Sequence, residues 1–225
     1  MPPSSLFDPA VARTLDRLHR NARFDGLRLA LAAPFVLPDL LGLRPSNDGR
    51  LSRNMRSVYI PVSRSQGQML YLVARAIDAR RIVEFGTSFG ISTLYLAAAV
   101  KDAGGGGVVG SELEPSKHAR AVEHLREAGL DSFADVRLGD AKQTLADVEG
   151  PIDMVLLDGW KDLYLPILQM LRPKLRPRSV VLADNIFTFK KALRPYVEYV
   201  QSPGSGFVSS TLDISDGFEL SVFTG

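Results

Sequence analysis

The chain has no cysteine among its 225 residues, so disulfides, thiolate metal sites and cysteine nucleophiles are excluded together. It has almost no excess of charge. Its 27 basic and 25 acidic residues leave a net charge of +2, which gives no reason to expect a nucleic-acid or membrane partner. It has only three histidines, His19, His118 and His124, all in polar helix-like patterns where surface positions are expected rather than ligation. Long apolar runs are missing too. The longest apolar region, 27–43, contains Arg28, Pro34, Pro38 and Asp39 and is unfit to span a bilayer. The first residues lack the continuous apolar segment of a secretory signal, so a cytoplasmic protein is expected. What is present, 45% apolar residue types, suffices for one globular unit with a sizeable core.

Residues 8–33 have helical spacing at Val11, Leu15 and Leu18, with Asp8 as an N-cap before Pro9. Residues 34–57, rich in Pro, Gly, Asn and Ser, are expected as loop with short turns. From Ser65 onward helices and strands alternate. Strands at 81–85, 108–113, 133–138, 152–158 and 179–184 are near-continuous Val/Ile/Leu runs, the pattern of a parallel sheet covered on both faces. The last two runs, 207–213 and 218–223, flank Ser215-Asp216-Gly217 and read as a hairpin. The expected fold is a Rossmann-like, doubly wound α/β sheet of seven strands, mostly parallel, with an antiparallel terminal hairpin strand. Residues 1–57 would form an N-terminal helical cover on a domain spanning 58–225.

Ligands of such sheets sit beyond the carboxyl ends of the strands. There the first strand gives Glu84 and the turn Gly86-Thr87-Ser88-Phe89-Gly90, whose glycines allow close approach to a ligand. The spacing is not that of the G-x-G-x-x-G dinucleotide fingerprint. The second strand ends in Glu112, an acid able to accept both hydroxyls of a ribose, and the third in Gly139-Asp140-Ala141. Three such signals in order favour a nucleoside-type cofactor. The fourth and fifth strands end in Asp158 and in Asp184-Asn185. Neighbouring strands lie about 4.8 Å apart and Mg–O bonds are about 2.1 Å, so these three side chains can converge on one hard cation. Lys161 would stand beside it as a candidate base. Taken singly, the acids could equally be helix N-caps and Lys161 a solvated helix-start residue.

Four blocks, Val62 through SRSQGQML, VEFGTSFGIST, SELEP, and LLDGWKDLYLP with LADN, resemble the class I S-adenosylmethionine-dependent methyltransferases, specifically the catechol O-methyltransferase family. The resemblance implies that Glu84, Gly86, Ser88 and Gly90 shape the cofactor loop, with Glu84 on the methionine amino group. Ser92 and the Val62 backbone would hold the carboxylate, and Glu112 the ribose. Asp140, Ala141 and Trp160 would border the adenine. Asp158 would line the cofactor site and, with Asp184 and Asn185, bind Mg²⁺, while Lys161 acts as general base. Gly159 replaces the family's usual histidine, which would open part of the cofactor pocket, and Asp213 is the nearest match to the family's acid for the second acceptor hydroxyl. Tyr59, Ile60, Phe187 and Phe189 are candidate apolar walls, or ordinary core. The expected activity is Mg²⁺-dependent O-methylation of a small phenolic substrate, a catechol, by a protein that is a possible homodimer. Two alternatives are a methyltransferase for a sugar or secondary metabolite and, with less in its favour, a nicotinamide-dependent oxidoreductase.

Overall fold

The computed structural model describes residues 4–40, 48–59 and 61–225, so Ile60 lies outside the described residues. Helix α1 (Pro9–Ala22) starts where expected: the Asp8 carboxylate accepts from the Ala10 N–H at 2.8 Å, and Pro9 needs no partner in the first turn. Helix α2 (Asp25–Leu40) and helix α3 (Asp48–Asn54) follow. Two expectations are thereby corrected. The 8–33 helix breaks at Arg23–Phe24, where the Arg23 and Phe24 N–H groups turn back to Arg20 and Asn21. The helix then runs on through Pro34 to residue 40, into the segment expected as loop. Proline's fixed φ of about −65° is itself helical, so each ring forfeits one backbone bond without forbidding the conformation.

Helix α4 (Arg64–Ala76) carries a capping box, with Ser63 and Gln66 each bonding the other's backbone N–H. Strand β1 (Arg81–Phe85), helix α5 (Ile91–Asp102) and strand β2 (Gly107–Glu112) come next, then helix α6 (Pro115–Glu127) and strand β3 (Ala134–Leu138). The short helix α7 (Ala141–Thr144), strand β4 (Ile152–Leu157), helix α8 (Tyr164–Leu171) and strand β5 (Leu175–Ala183) complete the alternating part. Helix α9 (Lys190–Gln201) leads to the hairpin of β6 (Phe207–Leu212) and β7 (Phe218–Phe223). The sheet order is β3-β2-β1-β4-β5-β7-β6, parallel through β5 and antiparallel at β7 and β6. Strand order reverses direction at β1, where a ligand crevice is expected.

The sheet is buried on both faces. One apolar cluster joins α1, α4, α5 and α6 to one side of it, and a second joins α8 and α9 to the other. α5 is buried on all sides from Ile91 to Val100, because the cover packs on its outer face. The N-terminal segment is stapled there by polar bonds: Ser5 N (2.8 Å), Ser5 Oγ (2.5 Å) and Tyr71 Oη (2.7 Å) all donate to the Asp102 carboxylate. No described helix is long and apolar enough to cross a membrane.

His124 is not at the surface as its polar pattern suggested. It is 2% exposed, and its Nδ1 lies 2.9 Å from the Phe89 carbonyl oxygen. A carbonyl only accepts, so this ring nitrogen carries the proton and ties α6 to the turn after β1.

Candidate active site

The turn after β1 folds as its glycines require. Gly86 (φ 101°), Ser88 (φ 48°) and Gly90 (φ 82°) are all left-handed, and a Cβ at Gly86 would lie 2.6 Å from the Asp158 backbone. The turn is thus pressed against the tip of β4. Val62, Gly86, Ser88, Ser92 and Asp158 line one cleft there, walled by the Tyr59 and Phe89 rings, stacked 3.9 Å apart.

Beneath the cleft Glu84 is wholly buried. Its Oε2 accepts from Thr87 Oγ1 (2.8 Å) and Thr93 Oγ1 (2.5 Å), while Oε1 has no donor among the described residues. Burial raises its pKa above the usual carboxylate range, against the opposing effect of the neighbouring hydroxyls. Buried acceptors are almost always paired, so this orphaned oxygen suits an incoming cationic donor such as an amino group. Glu112 accepts from Ser88 N at 2.7 Å on Oε2 and from Glu114 N at 2.8 Å on Oε1. Each oxygen keeps acceptor capacity for one hydroxyl of a vicinal pair. The residues present therefore fit a cofactor with an ammonium and a ribose. Asp140 caps α7 through Lys142 N (2.9 Å), Ala141 is buried, and Trp160 is half-buried against the second core cluster; none of the three lines the cleft.

The second half of the site lies at the tips of β4 and β5. Leu157 pairs with Ala183, and Asp184 N donates to the Leu157 carbonyl at 3.0 Å, so Asp158 and Asp184 emerge side by side. Lys161 stands among the expected ligands. Its Nζ is 3.6 Å from Asp158 Oδ1, 2.5 Å from Asn185 Oδ1 and 2.8 Å from the Tyr164 hydroxyl. Burial lifts the pKa of both aspartates. The neighbouring Asp158 charge adds to the lift at Asp184, while Lys161 opposes it at Asp158. Burial also pulls Lys161 below its ordinary value, against the attraction of the two acids. Among the described residues no group of three or more His, Cys, Asp and Glu side chains is placed to hold a metal. The set here is two carboxylates and an amide oxygen beside the Lys161 side chain, and all-oxygen donors of this kind are those that suit Mg²⁺.

Several side chains at the site escaped the sequence reading. Gln66 accepts from Ser63 N with Oε1 and donates from Nε2 to Asp184 Oδ1 at 2.8 Å, so one residue both caps α4 and orients an acid. The S-x-x-Q capping spacing was the available signal. Lys117, buried on α6, donates to Ser88 Oγ at 3.3 Å and lies 5.5 Å over the Phe89 ring. Tyr164 is buried beneath Lys161. Asp216, three residues beyond the anticipated Asp213, is the acid facing Asn185, whereas Asp213 is exposed. Gly159 leaves no opening: a Cβ there would lie 2.4 Å from the Phe85 ring, which fills the space.

A methyltransferase-domain profile matches residues 83–186, the stretch from β1 through Asp184 and Asn185. The fold, the domain match and the relatives are those of class I S-adenosylmethionine-dependent methyltransferases. Within that class the chain is similar to the catechol O-methyltransferases. It is 33% identical over 138 residues to a catechol O-methyltransferase from Niastella koreensis, covering 60% of this chain and 62% of that protein. It is 38% identical over 129 residues to one from Mycobacterium tuberculosis, covering 56% and 57%. The chain thus matches somewhat over half the length of these curated relatives. The O-methyltransferase TomG from Streptomyces achromogenes, solved in complex with S-adenosylmethionine, superposes with a TM-score of 0.69 at 25% identity, covering 85% of this chain and 98% of that one.

Proposed function

We propose that the protein is a Mg²⁺-dependent O-methyltransferase that moves a methyl group from S-adenosylmethionine to one hydroxyl of a small catechol-type phenol. The observation that carries this reading is the meeting of Asp158 and Asn185 with Lys161 Nζ, with Asp184 emerging beside Asp158, next to the cleft lined by Val62, Gly86 and Ser92. The names of the relatives point the same way.

In this reading Glu84 takes the methionine ammonium on its free oxygen. Val62 and Ser92 hold the carboxylate, Gly86, Ser88 and Gly90 shape the turn, and Glu112 takes the ribose hydroxyls. Asp140, Ala141 and Trp160, outside that cleft at the tips of the third and fourth strands, would border the adenine. The cofactor supplies a methyl group on a positively charged sulfur. Asp158, Asp184 and Asn185 would hold Mg²⁺, which lowers the pKa of a coordinated phenol and orients it. In its neutral amine form Lys161 would take the hydroxyl proton on Nζ, leaving the phenolic oxygen to accept the methyl group that the cofactor's sulfur gives up, with the proton kept on the amine. Charge is neutralised as the bond forms, so positioning and exclusion of water by the apolar surroundings carry most of the acceleration. Phe187 and Phe189, both partly exposed, flank this site as acceptor walls.

A non-catechol small acceptor, a sugar or secondary metabolite, is the second reading, favoured by the exposed position of Asp213. The homodimer is carried with either reading, on the row Leu27, Leu31 and Phe35, each more than 60% exposed along α2. Sedimentation giving only a 24.6 kDa species would remove it. The deciding experiment is transfer of labelled methyl groups to catechols, simpler phenols and non-aromatic alcohols, with Mg²⁺ and with EDTA. Catechol turnover that EDTA abolishes and Mg²⁺ restores is expected. Turnover indifferent to EDTA would overturn the metal role, and turnover confined to non-catechol acceptors would select the second reading.

A further inference from the structure

Asn185 is an amide among carboxylates, and only one of its two ends can serve a cation. Its Oδ1 is 2.5 Å from Lys161 Nζ, and its Nδ2 is 3.4 Å from Asp216 Oδ2. An ammonium only donates and an ionised carboxylate only accepts, so these two neighbours on opposite ends of the amide fix which end is oxygen. Asp216 is itself held in place. Its Oδ1 accepts from Thr188 N at 3.1 Å and Thr188 Oγ1 at 2.7 Å. Its carbonyl accepts from Phe187 N at 2.9 Å, and the Gly217 carbonyl accepts from Ile186 N at 3.2 Å. Gly217 has φ 83°, and a Cβ there would lie 2.9 Å from the Phe187 ring, so the hairpin turn packs directly on the loop that follows β5.

We propose that Asp216 is a positioning residue: the β6–β7 turn delivers its carboxylate to the Asn185 amide nitrogen, locking the amide oxygen toward the cation place formed with Asp158 and Asp184. The inference rests on the proposed Mg²⁺ site. It makes the terminal hairpin part of that site, although no hairpin residue is assigned as a ligand. Groups that orient ligating side chains matter nearly as much as the ligands themselves.

Asp216→Asn provides the test. An asparagine can keep an oxygen on Thr188, but it then offers its own NH₂ to Asn185. The Asn185 amide is driven to turn over and present its NH₂ to the cation. Mg²⁺ is titrated calorimetrically into protein saturated with S-adenosylhomocysteine, for the native chain, Asp216→Asn, Thr188→Val, Asn185→Asp and the Asn185→Asp/Asp216→Asn pair. Asp216→Asn should weaken Mg²⁺ binding roughly 10–100-fold, with S-adenosylhomocysteine affinity unchanged as the check on folding. Thr188→Val, which removes only the hydroxyl anchor, should change Mg²⁺ affinity far less. In the Asn185→Asp background both ends of residue 185 are oxygen, so adding Asp216→Asn should cost little. Native protein that binds no Mg²⁺ would overturn the metal reading and this inference with it. Native protein that binds Mg²⁺ while Asp216→Asn binds equally well would overturn the positioning role alone. An equal loss from Asp216→Asn in both backgrounds would also overturn it, showing a general charge effect instead of an oriented amide.

Discussion

Two groups of buried acids lie near each other on the same half of the sheet, and the chain treats them in opposite ways. Glu219, on β7 opposite Ala183, is fully buried and accepts from Gln201 Nε2 at 2.8 Å, Ser209 Oγ at 2.5 Å and Thr211 Oγ1 at 2.5 Å. All three donors are neutral, and they come from α9 and the paired strand. Asp158 and Asp184, just beyond β4 and β5, repel one another. Among the described residues Asp184 is met by Gln66 Nε2 and Asn185 N, both on the same oxygen, and the Lys161 ammonium stands nearby. A carboxylate saturated by hydrogen bonds is scaffold. Two carboxylates kept together with acceptor capacity to spare would, in the proposed reading, serve a cation, at a cost that the saturated acid does not carry.

That difference sets the expected order of effects. Asp184→Ala should abolish Mg²⁺-dependent methyl transfer while S-adenosylhomocysteine still binds, measured by labelled transfer and calorimetry. Retained turnover would place Asp184 with Glu219 as scaffold. Lys161→Ala should lower kcat by roughly 10²–10⁴-fold, the usual contribution of a positioned acid–base group. Lys161→Arg should not rescue, because a guanidinium stays protonated. Nitrocatechols, already ionised, should lose less than unsubstituted catechols.

Glu219→Ala should act on the other side of the comparison. It removes a buried acceptor that three partly exposed donors share, so the folded state should lose roughly 1–3 kcal/mol and Tm should fall, while kcat of the remaining folded protein stays near native. A large loss of kcat at unchanged Tm would break the distinction drawn here.

The smallest effect is expected at His19, which also belongs to the scaffold. Burial, with help from Arg64, lowers its pKa to about 4, and its Nε2 lies 3.3 Å from the Tyr95 hydroxyl. The unfolded chain takes up a proton near its ordinary pKa of about 6.5, which the folded protein resists until about pH 4. This contribution to stability is complete above pH 6.5 and is lost progressively as pH falls toward 4. His19→Gln should flatten the Tm profile over that window, and an unchanged slope would assign the acid sensitivity elsewhere.

The fold was legible in the sequence because strand burial on both faces writes continuous apolar runs, and because Ser215-Asp216-Gly217 marks the hairpin. Asp158, Asp184, Asn185 and Lys161 were legible for a related reason: strand ends locate them before any side chain is placed. Asp216 was not, since choosing it over Asp213 depends on where the turn docks against Phe187. Gln66 was hidden behind its capping role. The filled space at Gly159 depends on the Phe85 ring, and the burial of His124 on the turn it grips, both long-range contacts that local pattern does not carry. In the cover, prolines that would end most helices are accommodated in α2, so composition pointed to loop where helix forms.

The most direct test of the central claim is anomalous diffraction from crystals grown with Mn²⁺ in place of Mg²⁺, with S-adenosylhomocysteine and a nitrocatechol present. The account predicts one anomalous peak bonded by oxygens of Asp158, Asp184 and Asn185, with both phenolic oxygens on the ion. Absence of a peak there while the nitrocatechol is bound, or a peak held by other side chains, would contradict it.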